Sequence, residues 1–177
     1  EVVGLFPSEL IHIGGDECPK VRWEKCPRCQ ARIRQLGLRD KDGYTAEHYL
    51  QGYVTDRIGK YLAERGRRII GWDELLEGQA PSDDIVMSWR GSEGGIKAAK
   101  LGHDVIMTPN SHFYFDYYQS PDADAEPFGI GGCVTIDKVY SFDPMADLTP
   151  GQQAHILGVQ ANLWTEYIAS DDHLEYM

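Results

Sequence analysis

Two adjacent carboxylates, Asp16 and Glu17, are the first residues along the chain whose types and position indicate chemistry. They follow a short apolar run and the turn-forming pair Gly14-Gly15, so they stand where a buried strand should end. Two carboxylates that act across a scissile bond, one as acid and one as nucleophile, must face each other roughly 5 Å apart. Successive side chains at a strand end diverge instead. If both residues act, one therefore serves as the acid/base and the other orients a group of the substrate.

Further along the chain, apolar runs again end in aromatic and charged residues. These segments are Trp72-Asp73-Glu74, Trp89-Arg90 and Asn162-Leu163-Trp164-Thr165-Glu166. Each has a plainer interpretation when taken alone, because a carboxylate pair can be a solvated turn and a tryptophan at a strand end often packs in the core. Together they favour one active site, since a (β/α)8 barrel builds its site from the carboxyl ends of its strands. We interpret Asp73, Glu74 and Arg90 as structural residues that form ion pairs beneath this site.

The elements that must position these side chains alternate between strand and helix. Strands are predicted over residues 10–13, 68–72, 84–89, 104–107 and 156–160. Helices are predicted over residues 23–36, 45–65 and 94–101. Residues 109–150 form a long irregular stretch, and a long loop inside a compact domain is usually functional.

The strands are continuous apolar runs, which predicts a parallel sheet covered on both faces and an α/β fold. No glycine-rich phosphate fingerprint follows the first strand, which disfavours an open nucleotide-binding sheet. About five strands are visible, whereas a complete barrel spans ~250 residues. We therefore predict that residues 1–177 are a single fragment of a (β/α)8 TIM-type barrel, roughly its C-terminal half with about strands 4 to 8.

Composition narrows the class of substrate. The 177 residues carry a formal net charge of −11, which argues against binding nucleic acid because the phosphates would be repelled. An acidic surface is compatible with a neutral substrate such as a sugar. No apolar run is long enough to span a membrane.

Three cysteines cluster after the carboxylate pair. Cys26 and Cys29 have the spacing of half a zinc knuckle, and Cys18 could contribute to a site. No second pair exists at matching spacing, so we favour a loop with thiols or one disulfide over a metal-binding module. We predict neither a metal nor a cofactor.

A run of motifs, in order along almost the whole chain, resembles one enzyme family. The segment His12-Ile13-Gly14-Gly15-Asp16-Glu17 resembles the signature of glycoside hydrolase family 20, the β-N-acetylhexosaminidases. The resemblance continues through Gly71-Trp72-Asp73-Glu74, Ser88-Trp89-Arg90-Gly91, Tyr114-Phe115-Asp116 and Gln160-Ala161-Asn162-Leu163-Trp164-Thr165-Glu166. It implies an exo-acting glycosidase that removes terminal β-linked N-acetylglucosamine or N-acetylgalactosamine.

The resemblance also implies a division of labour in which the substrate's own 2-acetamido oxygen attacks the anomeric carbon. Glu17 would protonate the leaving glycosidic oxygen and then activate water. Asp16 would hold the acetamido N–H and stabilise its developing positive charge. These two roles agree with the geometric argument that adjacent carboxylates cannot both flank the bond.

The other matching positions imply substrate-binding residues. Trp72, Trp89 and Trp164 would form the walls of the acetamido pocket, since indoles offer flat apolar surfaces. Tyr114 would donate a hydrogen bond to the acetamido carbonyl. The carboxylates that would accept hydrogen bonds from the sugar hydroxyls are Asp116 and Glu166.

The chain departs from the family pattern in two ways. A sugar-binding arginine and a histidine from earlier strands have no counterpart, and residues 117–150 contain no tryptophan for the leaving-group sugar. An alternative is therefore that the chain alone is inactive or binds sugar weakly. We expect open barrel edges to drive self-association. The resemblance further implies an extracytoplasmic location, which is periplasmic, secreted or lysosomal.

Overall fold

Five parallel strands form one sheet, in which they succeed one another in chain order. A computed structural model describes residues 1–78, 80–81 and 83–177. The strands are β1 (Leu10–His12), β2 (Arg68–Trp72), β3 (Ile85–Ser88), β4 (Val105–Met107) and β5 (Ile156–Val159). The predicted α/β class and parallel pairing are confirmed. An order without reversal is the connectivity of a (β/α)8 barrel, whereas a doubly wound sheet reverses at its switch point.

The α-helices lie before, between and after these strands. They are α1 (Val2–Leu5), α2 (Val21–Lys25), α3 (Pro27–Leu36), α4 (Ala46–Ala63), α5 (Glu93–Leu101), α6 (Asn110–Phe113), α7 (Ile136–Tyr140), α8 (Pro150–Gln153) and α9 (Asp171–Tyr176). Short 3-10 helices span Asp73–Glu77 and Ala123–Ala125. The connection from β2 to β3 contains the first of these 3-10 helices, whereas α2, α3 and α4 lie between β1 and β2.

The longest helix, α4, begins and ends as its sequence predicts. Thr45 precedes it in a capping box with His48, so the first backbone N–H groups have partners. The chain turns away after Ala63 through Gly66, which has φ +66°. The predicted helix over residues 45–65 is confirmed, with α4 spanning Ala46–Ala63.

Two predictions about secondary structure were wrong in detail. Residues 23–36 do not form one helix, because Cys26 is extended (φ −80°, ψ 116°) between α2 and α3. The cause is Pro27, whose ring disfavours a helical conformation in the preceding residue. Residues 109–150 are not irregular throughout, because they include α6, α7 and the 3-10 turn at Ala123–Ala125.

The centre of the sheet is the most buried part of the fold. Every residue of β3 is buried, as is every residue of β2 except Arg68. One apolar cluster joins β3 and β4 to α5 through residues such as Val86, Ala98 and Val105. The outer strands are more open, and Leu157 on β5 is 54% exposed. The two edges of the sheet are therefore its least protected parts.

No helix within the described ranges is both long and apolar enough to cross a membrane.

Candidate active site

A cavity of about 470 Å³ lies at the carboxyl ends of the strands. All eight residues that the sequence singles out line it, and two further residues join them. The lining consists of Asp16, Glu17, Trp72, Trp89, Tyr114, Asp116, Tyr117, Ile130, Trp164 and Glu166. The loops after β1 to β5 thus bring distant parts of the chain to one place, as predicted for a (β/α)8 barrel, whose active site lies at the carboxyl ends of its strands.

The carboxylate pair leaves β1 through a left-handed turn. Gly14 and Gly15 have φ values of +70° and +102°, and Glu17 has φ +42°. Glycine adopts such angles at little cost, whereas a residue with a side chain is strained there. The backbone N–H of Trp72 donates to the Gly14 carbonyl at 3.0 Å, which ties this turn to the end of β2. Both Asp16 and Glu17 are exposed towards the cavity.

Three tryptophans and two tyrosines form the aromatic part of the cavity wall. Trp72 is buried at 8% exposure and meets Trp164 with ring centroids 6.1 Å apart. Tyr114 stacks on Trp89 at 6.3 Å and meets Trp164 edge to face at 6.2 Å. The Trp72 and Tyr114 rings lie at 56° and 63° to the Trp164 ring, so flat apolar surfaces meet at an angle that suits a small apolar group of a ligand.

A polar network beneath this wall fixes one of the tryptophans. The Trp89 indole N–H donates to Glu74 Oε2 at 3.0 Å, and its backbone N–H donates to Asp73 Oδ2 at 2.9 Å. Arg90 forms ion pairs with Asp73, Glu74 and Glu77. Burial raises the pKa of Glu74, which the Trp89 hydrogen bond partly opposes. The predicted ion pairs of Arg90 with Asp73 and Glu74 are therefore confirmed.

Tyr114 presents a hydroxyl that stays protonated. The side chain is 8% exposed, and burial raises its pKa to about 12. At any ordinary assay pH this group can therefore donate a hydrogen bond.

Asp116 is a buried carboxylate that can accept a further hydrogen bond. Its Oδ1 atom is buried and has no hydrogen-bond partner among the described residues, although the residue lines the cavity. Burial raises its pKa, and the charge of Glu166 raises it further. A buried acceptor without a partner costs free energy, so a hydroxyl group of a bound ligand would satisfy it.

Backbone hydrogen bonds join the loop after β4 to the loop after β5 beside the cavity. The Phe115 N–H donates to the Asn162 carbonyl at 2.8 Å, and the Asn162 N–H donates to the Phe113 carbonyl at 2.8 Å. The Asn162 side chain donates to Thr108 Oγ1 at 2.9 Å in the interior. The bridge keeps Tyr114 close to the loop that carries Trp164.

Sequence reasoning missed Tyr117 and Ile130. Tyr117 packs edge to face against Tyr114 with centroids 5.6 Å apart. Its position one residue after Asp116 was a usable signal, because it continues the same motif. Ile130 lies in a Gly-rich part of the long loop, and nothing in its surroundings marks it.

The cysteine segment gives no support to a metal centre. Cys18, Cys26, Cys29 and Cys133 are free thiols. Throughout the part of the chain that the structure describes, no group of three or more His, Cys, Asp or Glu side chains is arranged to hold a metal ion. Cys26 and Cys29 therefore lack a third ligand in that part.

Known proteins resemble this chain along its whole length. It is 47% identical to a β-hexosaminidase of Porphyromonas gingivalis, over 99% of the chain and 22% of that protein. It is 33% identical to a β-hexosaminidase of Vibrio furnissii, over 100% of the chain and 28% of that protein. The chain thus spans about a quarter of the length of these relatives.

Solved structures agree with the sequence relatives. A GH20 exo-β-N-acetylglucosaminidase of Vibrio harveyi in complex with N-acetylglucosamine matches with a TM-score of 0.82 and 30% identity, over 99% of the chain and 27% of that structure. A chitobiase of Flavobacterium johnsoniae matches with a TM-score of 0.75 and 31% identity, over 94% and 23%. Residues 1–177 also match the catalytic domain of glycosyl hydrolase family 20. The chain therefore belongs to glycosyl hydrolase family 20, as a part of its catalytic domain.

Proposed function

We propose that this chain carries the chemical centre of an exo-β-N-acetylhexosaminidase that works by substrate-assisted catalysis with retention of configuration. One observation carries the proposal: a single cavity brings the Asp16-Glu17 pair together with three indoles, a protonated tyrosine and two further carboxylates. The substrate would be a terminal β-linked N-acetylglucosamine or N-acetylgalactosamine on an oligosaccharide or glycoconjugate.

In the first step, the acetamido oxygen of the substrate attacks the anomeric carbon. Glu17, as its carboxylic acid, gives its proton to the glycosidic oxygen as the bond to the anomeric carbon breaks. The sugar is left with a cyclic oxazolinium-type structure, and the alcohol departs. Asp16 accepts a hydrogen bond from the acetamido N–H and stabilises the positive charge that develops there.

In the second step, the Glu17 carboxylate takes a proton from water as that water attacks the anomeric carbon. The bond between the anomeric carbon and the acetamido oxygen breaks, and the free sugar is released. Two attacks on the same carbon leave its configuration unchanged. No protein atom needs to bond to the sugar, which suits a site whose two carboxylates are neighbours in the chain.

The rest of the cavity would hold the sugar for these steps. Trp72, Trp89 and Trp164 would enclose the acetamido methyl group, and Tyr114 would donate to the acetamido oxygen. Asp116 and Glu166 would accept hydrogen bonds from sugar hydroxyl groups. A site that pairs buried carboxylates with hydroxyls discriminates strongly against sugars that lack them.

We also propose that the chain corresponds to about strands 4 to 8 of the barrel, and that the rest of the protein supplies the earlier strands. The exposed apolar residues of the outer strands support this, since Val159 on β5 is 48% exposed. Without those strands, the chain alone would bind sugar weakly and would self-associate through its sheet edges. Size-exclusion chromatography that shows a clean monomer of the chain would contradict the self-association.

For the whole protein we propose an extracytoplasmic location. Fractionation of cells that express it should place the activity in the periplasm, the medium or a lysosome-like compartment. Activity found only in the cytosol would contradict this.

The direct test is hydrolysis of a chromogenic β-N-acetylglucosaminide and the matching galactosaminide by this chain and by the full-length protein. We expect activity in the full-length protein, with little or none in the chain alone. No activity in either would refute the proposed function. The ratio of the two rates would identify the preferred amino sugar.

A further inference from the structure

Two side chains outside the cavity lining hold the backbone on both sides of the carboxylate pair. Gln51, on α4, donates from Nε2 to the Gly15 carbonyl at 2.8 Å. Lys20 donates from Nζ to the Cys18 carbonyl at 2.6 Å, and also to Gln51 Oε1. The three hydrogen bonds form a continuous connection from the residue before Asp16 to the residue after Glu17.

The orientation of the Gln51 amide follows from this connection. An ammonium group can only donate hydrogen bonds, so the oxygen of the amide must face Lys20. Its NH2 group is then the part that reaches the Gly15 carbonyl. Replacing Lys20 would therefore remove the group that orients Gln51, as well as its own bond to Cys18.

The backbone between these two attachment points is one that needs support. Glu17 adopts a left-handed conformation that residues with side chains rarely hold, and Gly14 and Gly15 before it are left-handed as well. Such a conformation persists where the surrounding structure over-determines it. The direction in which the Glu17 side chain points depends directly on these backbone angles.

Gln51 is well placed to provide that support because its helix is seated firmly. The next residue, Gly52, lies so close to the segment after β2 that an added Cβ would stand 1.9 Å from the carbonyl oxygen of Gly78. The Lys20 Nζ also lies over the Trp23 ring, 5.4 Å from its centre. The contacts of both donors with these neighbours do not involve the cavity lining.

We propose that Gln51 and Lys20 are positioning residues that fix the direction of the Glu17 carboxyl group and so its ability to protonate the leaving group. The proposal rests on the proposed function. It assigns a role in the reaction to two residues that do not contact the substrate. A displacement of a catalytic group by about 1 Å can lower the rate about a hundredfold.

The test compares leaving groups in the full-length enzyme. The first chemical step, which kcat/KM reports, needs protonation by Glu17 for a phenyl leaving group and hardly needs it for 2,4-dinitrophenyl. We expect Gln51→Ala to lower kcat/KM about a hundredfold for the phenyl β-N-acetylglucosaminide and less than about tenfold for the dinitrophenyl one. Lys20→Met should show the same selective loss.

Gln153→Ala is the matched control, because Gln153 also donates from its amide to backbone carbonyls, those of Met145 and Leu148, but lies far along the chain on α8. We expect Gln153→Ala to show no greater loss of kcat/KM on the phenyl substrate than on the dinitrophenyl one. Gln51→Glu preserves the side-chain shape and the contact with Lys20 but removes the donor to Gly15. It replaces Gln51→Ala in the test if that variant does not fold.

The outcomes separate the two proposals. If the wild-type enzyme cleaves neither substrate, the proposed function fails. If the wild type cleaves both, and the folded Gln51 variants lose equally on the two leaving groups or lose nothing, the positioning role is refuted. A selective loss on the phenyl substrate in Gln51→Ala, Gln51→Glu and Lys20→Met supports it.

Discussion

Replacing Tyr114 by phenylalanine should remove one hydrogen bond from the reaction and leave the cavity wall intact. The ring stacks on Trp89 and meets Trp164, and phenylalanine keeps both contacts. The lost group is a hydroxyl whose pKa burial raises to about 12, so it is a donor at every pH used for assay. Loss of one preorganised donor costs about 2.7 kcal/mol, or about a hundredfold in rate, at the lower end of the known range.

The assay is kcat/KM of the full-length enzyme on a chromogenic β-N-acetylglucosaminide. Tyr118→Phe is the control, because Tyr118 lies in the same loop but not in the cavity lining. We expect a loss of about a hundredfold for Tyr114→Phe and less than about threefold for Tyr118→Phe. The pH profile should show no step from Tyr114 below about pH 10. Equal rates for Tyr114→Phe and wild type would refute the placement of this hydroxyl against the acetamido group.

Three further predictions concern the carboxylates. Asp16→Asn should lower kcat by at least about a hundredfold with little change in the thermal midpoint, because Asp16 is exposed and, in the proposed mechanism, stabilises charge rather than packing; a near-normal rate would contradict its role. Glu74→Leu should raise KM, because the Trp89 indole N–H loses its acceptor and the indole is no longer held in the cavity wall; an unchanged KM would contradict this. Burial raises the pKa of Asp84 from 3.8 to about 7, so the folded protein holds a proton that the unfolded chain releases, and the contribution of Asp84 to stability falls as pH rises between about 4 and 7. Asp84→Asn should abolish that fall, so its Tm relative to wild type should rise across this window, whereas Asp124→Asn should give a curve parallel to wild type.

Much of the fold could be predicted because burial on both faces of a parallel strand leaves a continuous apolar run. Ile69-Ile70 and Val86-Met87 are such runs, and they lie in β2 and β3. Each observed strand ends within one residue of its prediction. The helix predicted over residues 23–36 is two helices, because Pro27 disfavours a helical conformation at Cys26 and so separates α2 from α3.

Lining residues of the cavity could be predicted where they belong to a sequence motif. Residues that only tertiary packing brings to the site could not. Tyr114 and Asp116 belong to a motif, and both line the cavity. Ile130 reaches the same cavity from a loop without periodicity. Gln51 occupies one position of a helix that was predicted, but its contact with Gly15 depends on how that helix lies against β2 and the turn after β1. Such a contact has no local signal in the sequence.

The central claim is that the acetamido group of the substrate is the nucleophile and that Asp16 and Glu17 serve it. The most direct measurement is kcat/KM of the full-length enzyme on chromogenic substrates whose acetamido methyl carries zero, one, two or three fluorine atoms. Each fluorine makes the carbonyl oxygen a poorer nucleophile. The account predicts a rate that falls steeply with each fluorine, and a slope that flattens in Asp16→Asn. A rate that does not depend on fluorination, or a sugar bound covalently to a carboxylate of the protein, would contradict it.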